Sequence, residues 1–364
     1  MSILNNPYRG KGLPPTANLA KGEVRSDPSN VNALLGHCPV SAVTPLSGDA
    51  ELAVRLNIAQ IAIKDERARM GLGSFKSLGA AHAIARAAHA RIGDAVFNPK
   101  QTGTALKGTV YAAATAGNHG LSLAAGARVF GAGAVIFIAQ TVPSSFEARL
   151  QALGATVVRA GAEYQDSLDA AKEAAEREGW ILLSDTSWHG YTELPLDIME
   201  GYLVMAAEAA DQVEAQSWRP THVFLQAGVG GLAAAATAHL RARWGDDFHI
   251  CVVEPQAAPA LQASIKAGKS VIAPGPISNM GRLDCKEPSH LALKCLARGA
   301  DSFQTLSDAY VADAIGDLAV FGLETSPSGG AGYAGLKSAR DANALGLDAK
   351  SRVLLFLSEG PAGD

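Results

Sequence analysis

What this 364-residue sequence lacks narrows its class before any motif is read. Lys and Arg number 31 against 35 Asp and Glu, a formal net charge of −4, and no run of five like charges occurs. Without a basic or acidic block, a surface for nucleic acid or for an anionic membrane is not expected. Long apolar runs are missing as well: stretches such as Val129 to Ala139 fall far short of the ~20 residues that a membrane span needs. The polar opening from Met1 to Gly10 has no signal-peptide apolar segment, so a cytoplasmic location is the expectation. The four cysteines, Cys38, Cys251, Cys285 and Cys295, form no C-x-x-C pair and have no histidine at ligand spacing. Neither a disulfide framework nor a metal site is indicated, and reduced thiols are expected.

What is present is core-forming material: 48% of the residues are hydrophobic and only 18% charged. That balance excludes disorder, and at roughly 100–200 residues per domain the chain has room for two or three domains. Short runs rich in Val and Ile alternate with Ala-rich segments of helical length. Ile61–Ile63 precedes Leu78–Ala90, Val110–Ala114 precedes Leu121–Gly131, and Val135–Ala139 precedes Phe146–Leu153. The same alternation continues through Thr156–Arg159, Val223–Gln226 and Ile250–Glu254, each followed by a helical stretch. Strands apolar on both faces, alternating with helices, predict an α/β fold with mostly parallel sheets covered by helices. The segment from Gly93 to Gly108 shows the weakest pattern and reads as a surface loop or insertion.

Glycine is plentiful, at 38 residues, and its positions mark four candidate sites. The run Gly71 to Gly79 embeds Lys76 between a flexible loop and an apolar helix; such a lysine is either solvated or, if desolvated, able to form a Schiff base. Thr115-Ala116-Gly117-Asn118-His119-Gly120 follows a strand and opens a helix, so it is either a capped turn or a cradle of backbone N–H groups for a carboxylate. Gln226-Ala227-Gly228-Val229-Gly230-Gly231-Leu232 links a strand to a helix and suits a phosphate. It also reads G-x-G-x-x-A, with Glu254 downstream, which keeps open a nicotinamide (NAD) binding Rossmann oxidoreductase. The strand from Leu354 to Leu357 ends in Ser358, where ligands of open α/β sheets gather.

Taken in order, Ser74-Phe75-Lys76, the Ala116-Gly117-Asn118-His119-Gly120 loop, the tri-glycine turn and the strand-terminal Ser358 resemble the fold-type II family of pyridoxal-phosphate enzymes. Within it the chain is most similar to the diaminopropionate ammonia-lyases, on Lys64-Asp65-Glu66, the Ser184–Tyr191 stretch, Ile198–Tyr202, Pro220–Val223 and Val253-Glu254-Pro255. The resemblance implies two open sheets, with a large domain (1–90 and 189–364) and a small one (91–188) around an interdomain site, in a homodimer. It implies pyridoxal 5'-phosphate on Lys76, its phosphate on Gly228, Val229, Gly230, Gly231 and Leu232, its phenolic oxygen at Asn118 and its ring nitrogen at Ser358. Lys76 and Asp185 are the implied catalytic residues, and Ser74, Thr115, Ala116, Gly117 and His119 the implied substrate contacts.

A serine at the ring nitrogen leaves the ring neutral and a weaker electron sink, which favours prompt loss of a group at Cβ. The activity implied is therefore elimination of ammonia from a small β-substituted L-amino acid, a 2-oxo acid being released. A serine, threonine or 3-hydroxyaspartate dehydratase of the same fold is the alternative. One departure bears on stereochemistry: the ammonia-lyases resemble Thr-Asp-Gly-Asn-His at this loop, whereas position 116 here is alanine. The aspartate is associated with attack on the D-enantiomer, so Ala116 implies an L-substrate.

Overall fold

A computed structural model describes residues 1–115, 117–162 and 164–361. Eleven strands are present among them: β1 Ser2–Asn5, β2 Leu46–Gly48, β3 Gln60–Asp65, β4 Val110–Ala114, β5 Gly133–Ile138, β6 Thr156–Arg159, β7 Ile181–Leu182, β8 His222–Gln226, β9 His249–Pro255, β10 Ser302–Leu306 and β11 Arg352–Leu357. They form two sheets, one ordered β1-β10-β9-β8-β11-β3-β2 and the other β6-β5-β4-β7. The smaller sheet is parallel throughout. In the larger one only the edge pairs β1–β10 and β2–β3 are antiparallel. Central strands such as β9 and β11 are buried at every residue after their first, which is why their middles read as unbroken apolar runs rather than alternating ones.

The last strand, β11, lies between β3 and β8, in register Leu357 with Asp65 and Leu355 with Phe224. Its position sets the site. Four other segments join it there, because the residues after the carboxyl ends of β3, β4, β7 and β8 are those carrying Lys76, Asn118, Asp185 and the tri-glycine turn.

The segment from Gly93 to Gly108 lies at the surface, most of its residues being exposed, but it is not an irregular loop throughout. It folds into two short helical turns, Gly93–Phe97 and Pro99–Thr102, and buries Val96, Ala105 and Leu106. Its apolar residues, Ala95, Val96, Phe97, Ala105 and Leu106, are too few to show a period, yet Val96, Ala105 and Leu106 reach the core.

Packing of the helix Gly79–Ile92 against the helix Glu193–Ala215 holds the lysine loop in place. Glycine is required at this crossing. A Cβ on Gly201 would sit 2.4 Å from the Leu78 carbonyl oxygen, and one on Gly79 would sit 2.6 Å from the Tyr202 ring. Beneath the crossing, the buried Glu200 gathers Arg25, His82 and Arg86, so its charge is compensated. Gly201→Ala is expected to destabilise the protein by about 1–3 kcal/mol, the usual range for overpacking, measurable as a lower urea midpoint at unchanged slope.

Candidate active site

Lys76 owes its position to two left-handed glycines, Gly71 and Gly73 (φ +71° and +84°), which turn the chain back toward the sheet. Ser74 caps the short turn Phe75–Leu78 that follows, its hydroxyl accepting the Lys76 N–H at 3.2 Å. The loop is clamped to β11 on both sides: Phe75 N–H donates to the Ser358 carbonyl (3.0 Å) and Gly360 N–H to the Gly73 carbonyl (3.1 Å). The Lys76 ammonium lies 5.5 and 5.7 Å from the ring centres of Phe75 and Tyr202 and pairs with Asp185 Oδ2.

That pair decides both protonation states. Burial draws the Lys76 ammonium down, but the charge of Asp185 more than offsets it, and the group stays above its ordinary range. Burial likewise pushes the Asp185 carboxyl up, and the Lys76 charge holds it well below the usual carboxylate range. His119 itself is drawn down, first by burial. Its Nε2–H donates to the Leu183 carbonyl at 2.8 Å, which leaves the buried Nδ1 without a partner among the described residues. His119 is thus a neutral ring that ties the asparagine loop to the segment carrying Asp185, not a group free to shuttle protons.

The carboxylate cradle is narrower than expected. The Thr115 hydroxyl accepts the Gly117 N–H (3.0 Å), and the Gly120 N–H goes to the Gly117 carbonyl (3.1 Å). With no side-chain cap at Gly117, the N–H groups of Asn118 and His119 are the free donors among the described residues at this helix start. Ala116 lies outside the described residues.

The tri-glycine turn matches a phosphate more fully. Gly230 is left-handed (φ +101°), no side chain caps the helix Gly231–Trp244, and the N–H groups of Gly230, Gly231 and Leu232 donate to no described residue. Unspent donors at a helix N-terminus are what a phosphate takes. Space is tight at Gly228, where a Cβ would meet Cys285 Sγ at 3.0 Å and the Arg282 carbonyl oxygen at 3.2 Å, so a side chain there needs its neighbours to give way. A buried serine pair fixes this turn relative to Asp185. Ser289 N–H donates to the Val229 carbonyl, and the Ser187 and Ser289 hydroxyls meet at 2.6 Å.

Three residues of the site escaped sequence reasoning. Glu359 is buried beside Ser358; it accepts from Asn118 Nδ2 at 2.6 Å and from the Ser326 hydroxyl, and Arg282 Nε lies 3.1 Å away. Burial pushes its carboxyl up in spite of these partners. Cys285, its thiol pushed up to about 12 by burial, lies against the glycine turn. Adjacency to Ser358 was a signal for Glu359, but Arg282 and Cys285 sit in an unpatterned stretch and had none. By contrast, Glu254 is spent: its carboxylate accepts the Leu261 and Gln262 N–H groups at 2.7 and 2.8 Å, and burial raises it to about 8. A carboxyl turned onto those N–H groups and wholly buried is out of reach of a ribose, so the nicotinamide-binding alternative is set aside.

A half-buried lysine facing an unspent phosphate cup across the carboxyl ends of two sheets defines an α/β enzyme suited to a phosphorylated carbonyl cofactor. The family model described as pyridoxal-phosphate dependent enzyme matches residues 39–359, and the chain belongs to that family. Diaminopropionate ammonia-lyase of Salmonella typhimurium is 32% identical over 88% of this chain and 86% of its own length. Two crystal structures of the Escherichia coli diaminopropionate ammonia-lyase are also similar, each at 27% identity over 99% of this chain and 93% of theirs. One, with D-serine bound, gives a TM-score of 0.88; the other, with an aminoacrylate–pyridoxal-phosphate azomethine, gives 0.87. Both sheets and the helices that cover them are those of fold-type II pyridoxal-phosphate enzymes.

The Lys76–Asp185 pair yields a measurable pH effect. In Asp185→Asn the opposing charge is gone and burial alone acts on Lys76, so its amine becomes free at lower pH. The pH midpoint for uptake of pyridoxal phosphate by the apoprotein, followed by visible absorbance, is expected to move down. An unchanged or higher midpoint contradicts the pairing.

Proposed function

We propose that this pyridoxal-phosphate-dependent lyase eliminates the β-substituent of a small L-amino acid of the 2,3-diaminopropionate kind, releasing a 2-oxo acid and ammonia. The observation that carries the reading is the buried Lys76–Asp185 pair set opposite the phosphate cup. Bound there, the cofactor supplies an electron sink conjugated to the substrate Cα. Lys76 would hold it, with the N–H groups of Gly228 to Leu232 on its phosphate, Asn118 at its phenolic oxygen and Ser358 at its ring nitrogen.

The substrate carboxylate goes to the free N–H groups of Asn118 and His119, beside the Thr115 hydroxyl and Gly117. Ser74 sets the Lys76 backbone and, through it, the side chain. The Lys76 amine takes the proton from Cα. Asp185, in contact with that nitrogen, receives the proton and delivers it to the departing amine or hydroxyl at Cβ. When Lys76 gives up its charge, the burial that it offset raises the Asp185 carboxyl, so the carboxylate becomes a proton carrier at the moment one is needed.

In this reading residues 91–188 move as a small domain over a large one made of 1–90 and 189–364, and cleft closure excludes water. The setting proposed is a cytoplasmic homodimer; among the described residues no helix is long and apolar enough to cross a membrane. A second reading, a dehydratase acting on a hydroxy amino acid, is favoured by the D-serine bound to the Escherichia coli relative.

Purified holoenzyme incubated with L-2,3-diaminopropionate is expected to give two ammonia per 2-oxo acid, and with L-serine one. Absence of 2-oxo acid from every β-substituted alanine overturns the reading. With alanine at position 116 the D-enantiomers are expected to be turned over at a small fraction of the L-rate, and equal rates refute that part. Asp185→Asn is expected to lower kcat by about 100-fold or more with the cofactor still bound.

A further inference from the structure

Arg282 has no assigned role, yet it spans the two walls of the site. Its backbone is wedged over the phosphate turn, the carbonyl oxygen lying 3.2 Å from where a Cβ on Gly228 would be. Its N–H is tied to the Ser328 hydroxyl at 3.1 Å. The side chain crosses to the asparagine loop, with Nε 3.4 Å from where a Cβ on Gly117 would be. It touches Glu359 at 3.1 Å, but the guanidinium donates no hydrogen bond to any described residue. Apart from that ion pair at Nε, its N–H donors meet no described residue, a third of the side chain is exposed, and it borders the Asn118 and His119 cradle. Glu359 is held by Asn118 and Ser326 as well.

The charge around this loop decides what fits. Lys76 is paired with Asp185, Glu359 takes up only the Nε edge of Arg282, and position 116, next to Gly117 in the sequence, is alanine and carries no carboxylate. A guanidinium fork beside the cradle attracts a second carboxylate and repels a lone β-ammonium. We propose that Arg282 is a specificity-determining residue that grips a β-carboxylate, so that the substrate class is a 2-amino dicarboxylic acid with an amine or hydroxyl leaving group on Cβ. This rests on the elimination reading and narrows its substrate. For 3-hydroxyaspartate the Cα–H and Cβ–O bonds break, and the proton and hydroxide leave as water. The enamine released takes up water and loses ammonia, a net conversion to 2-oxosuccinate and ammonia with no change in oxidation state overall.

The test compares wild type, Arg282→Gln and Arg282→Lys as holoenzymes on 3-hydroxy-L-aspartate (both β epimers), L-serine and L-2,3-diaminopropionate, with calorimetric titration of succinate as a binding readout. Wild type is expected to prefer 3-hydroxyaspartate. Arg282→Gln is expected to lower the ratio of its kcat/KM to that of L-serine by about 10–100-fold, the range for losing hydrogen bonds to a charged group, mainly through KM, with a matching loss of succinate affinity. Arg282→Lys, which keeps the charge but not the fork and guards against misfolding, is expected to recover only part of both. Turnover of L-serine or diaminopropionate but not of 3-hydroxyaspartate, or a ratio unmoved in Arg282→Gln, overturns the role of Arg282 and leaves the elimination reading intact. Succinate binding that depends on Arg282 without 2-oxo acid from any of the three amino acids supports the carboxylate grip and overturns the elimination reading instead.

Discussion

The ion pair between Lys76 and Asp185 is the contact on which the site depends. It joins a loop that follows β3 of the larger sheet to a loop that follows β7 of the smaller one. Neither charge is tolerable alone at that depth. Burial opposes ionisation of both, and each is kept ionised by the other. Removing one partner from such a pair leaves an uncompensated charge, which costs more than the pair contributes. The same groups that the proposed chemistry uses thus also tie the two sheets to each other, and the serine contact from Ser187 through Ser289 to Val229 repeats that tie a few residues away.

Around this pair, the groups divide by what they are made of. In the proposed reading, phosphate and carboxylate would be met by backbone N–H groups at two helix starts, whose directions the sheets dictate. Side chains would act where charge has to move or be discriminated, at Lys76, Asp185, Glu359 and Arg282. Backbone donors cannot be titrated, so that anchoring would be insensitive to pH, while proton transfer would be confined to one coupled pair.

Much of this was legible in the sequence because it is local. The alternation of Val-rich and Ala-rich runs located most strands and the helices after them, and the glycines at 71, 73 and 230 mark left-handed backbone that few residues adopt. Lys76, Asn118 and Asp185 were legible through resemblance, not spacing, since each lies more than thirty positions from the next. What could not be read was long-range. The narrowing of the carboxylate cradle depends on where the Thr115 hydroxyl turns, and His119 is engaged by a carbonyl 64 residues away. Glu359 is defined by partners at 118, 282 and 326, no two of them near in sequence.

The place of β11 also bears on how the molecule comes to be. It follows all the other described strands in the chain and is the sole neighbour shared by β3 and β8. Until residues 352–357 are available the larger sheet exists as two unjoined parts, one with the lysine loop and the other with the glycine turn. Pairing across such sequence separations is slow, because loop closure must precede the contacts that reward it. A nascent chain lacking residues 352–357 therefore cannot present a finished cofactor site, because the lysine loop and the glycine turn are brought together by that strand. Order of synthesis thus makes cofactor binding a late event, coupled to closure of the larger sheet.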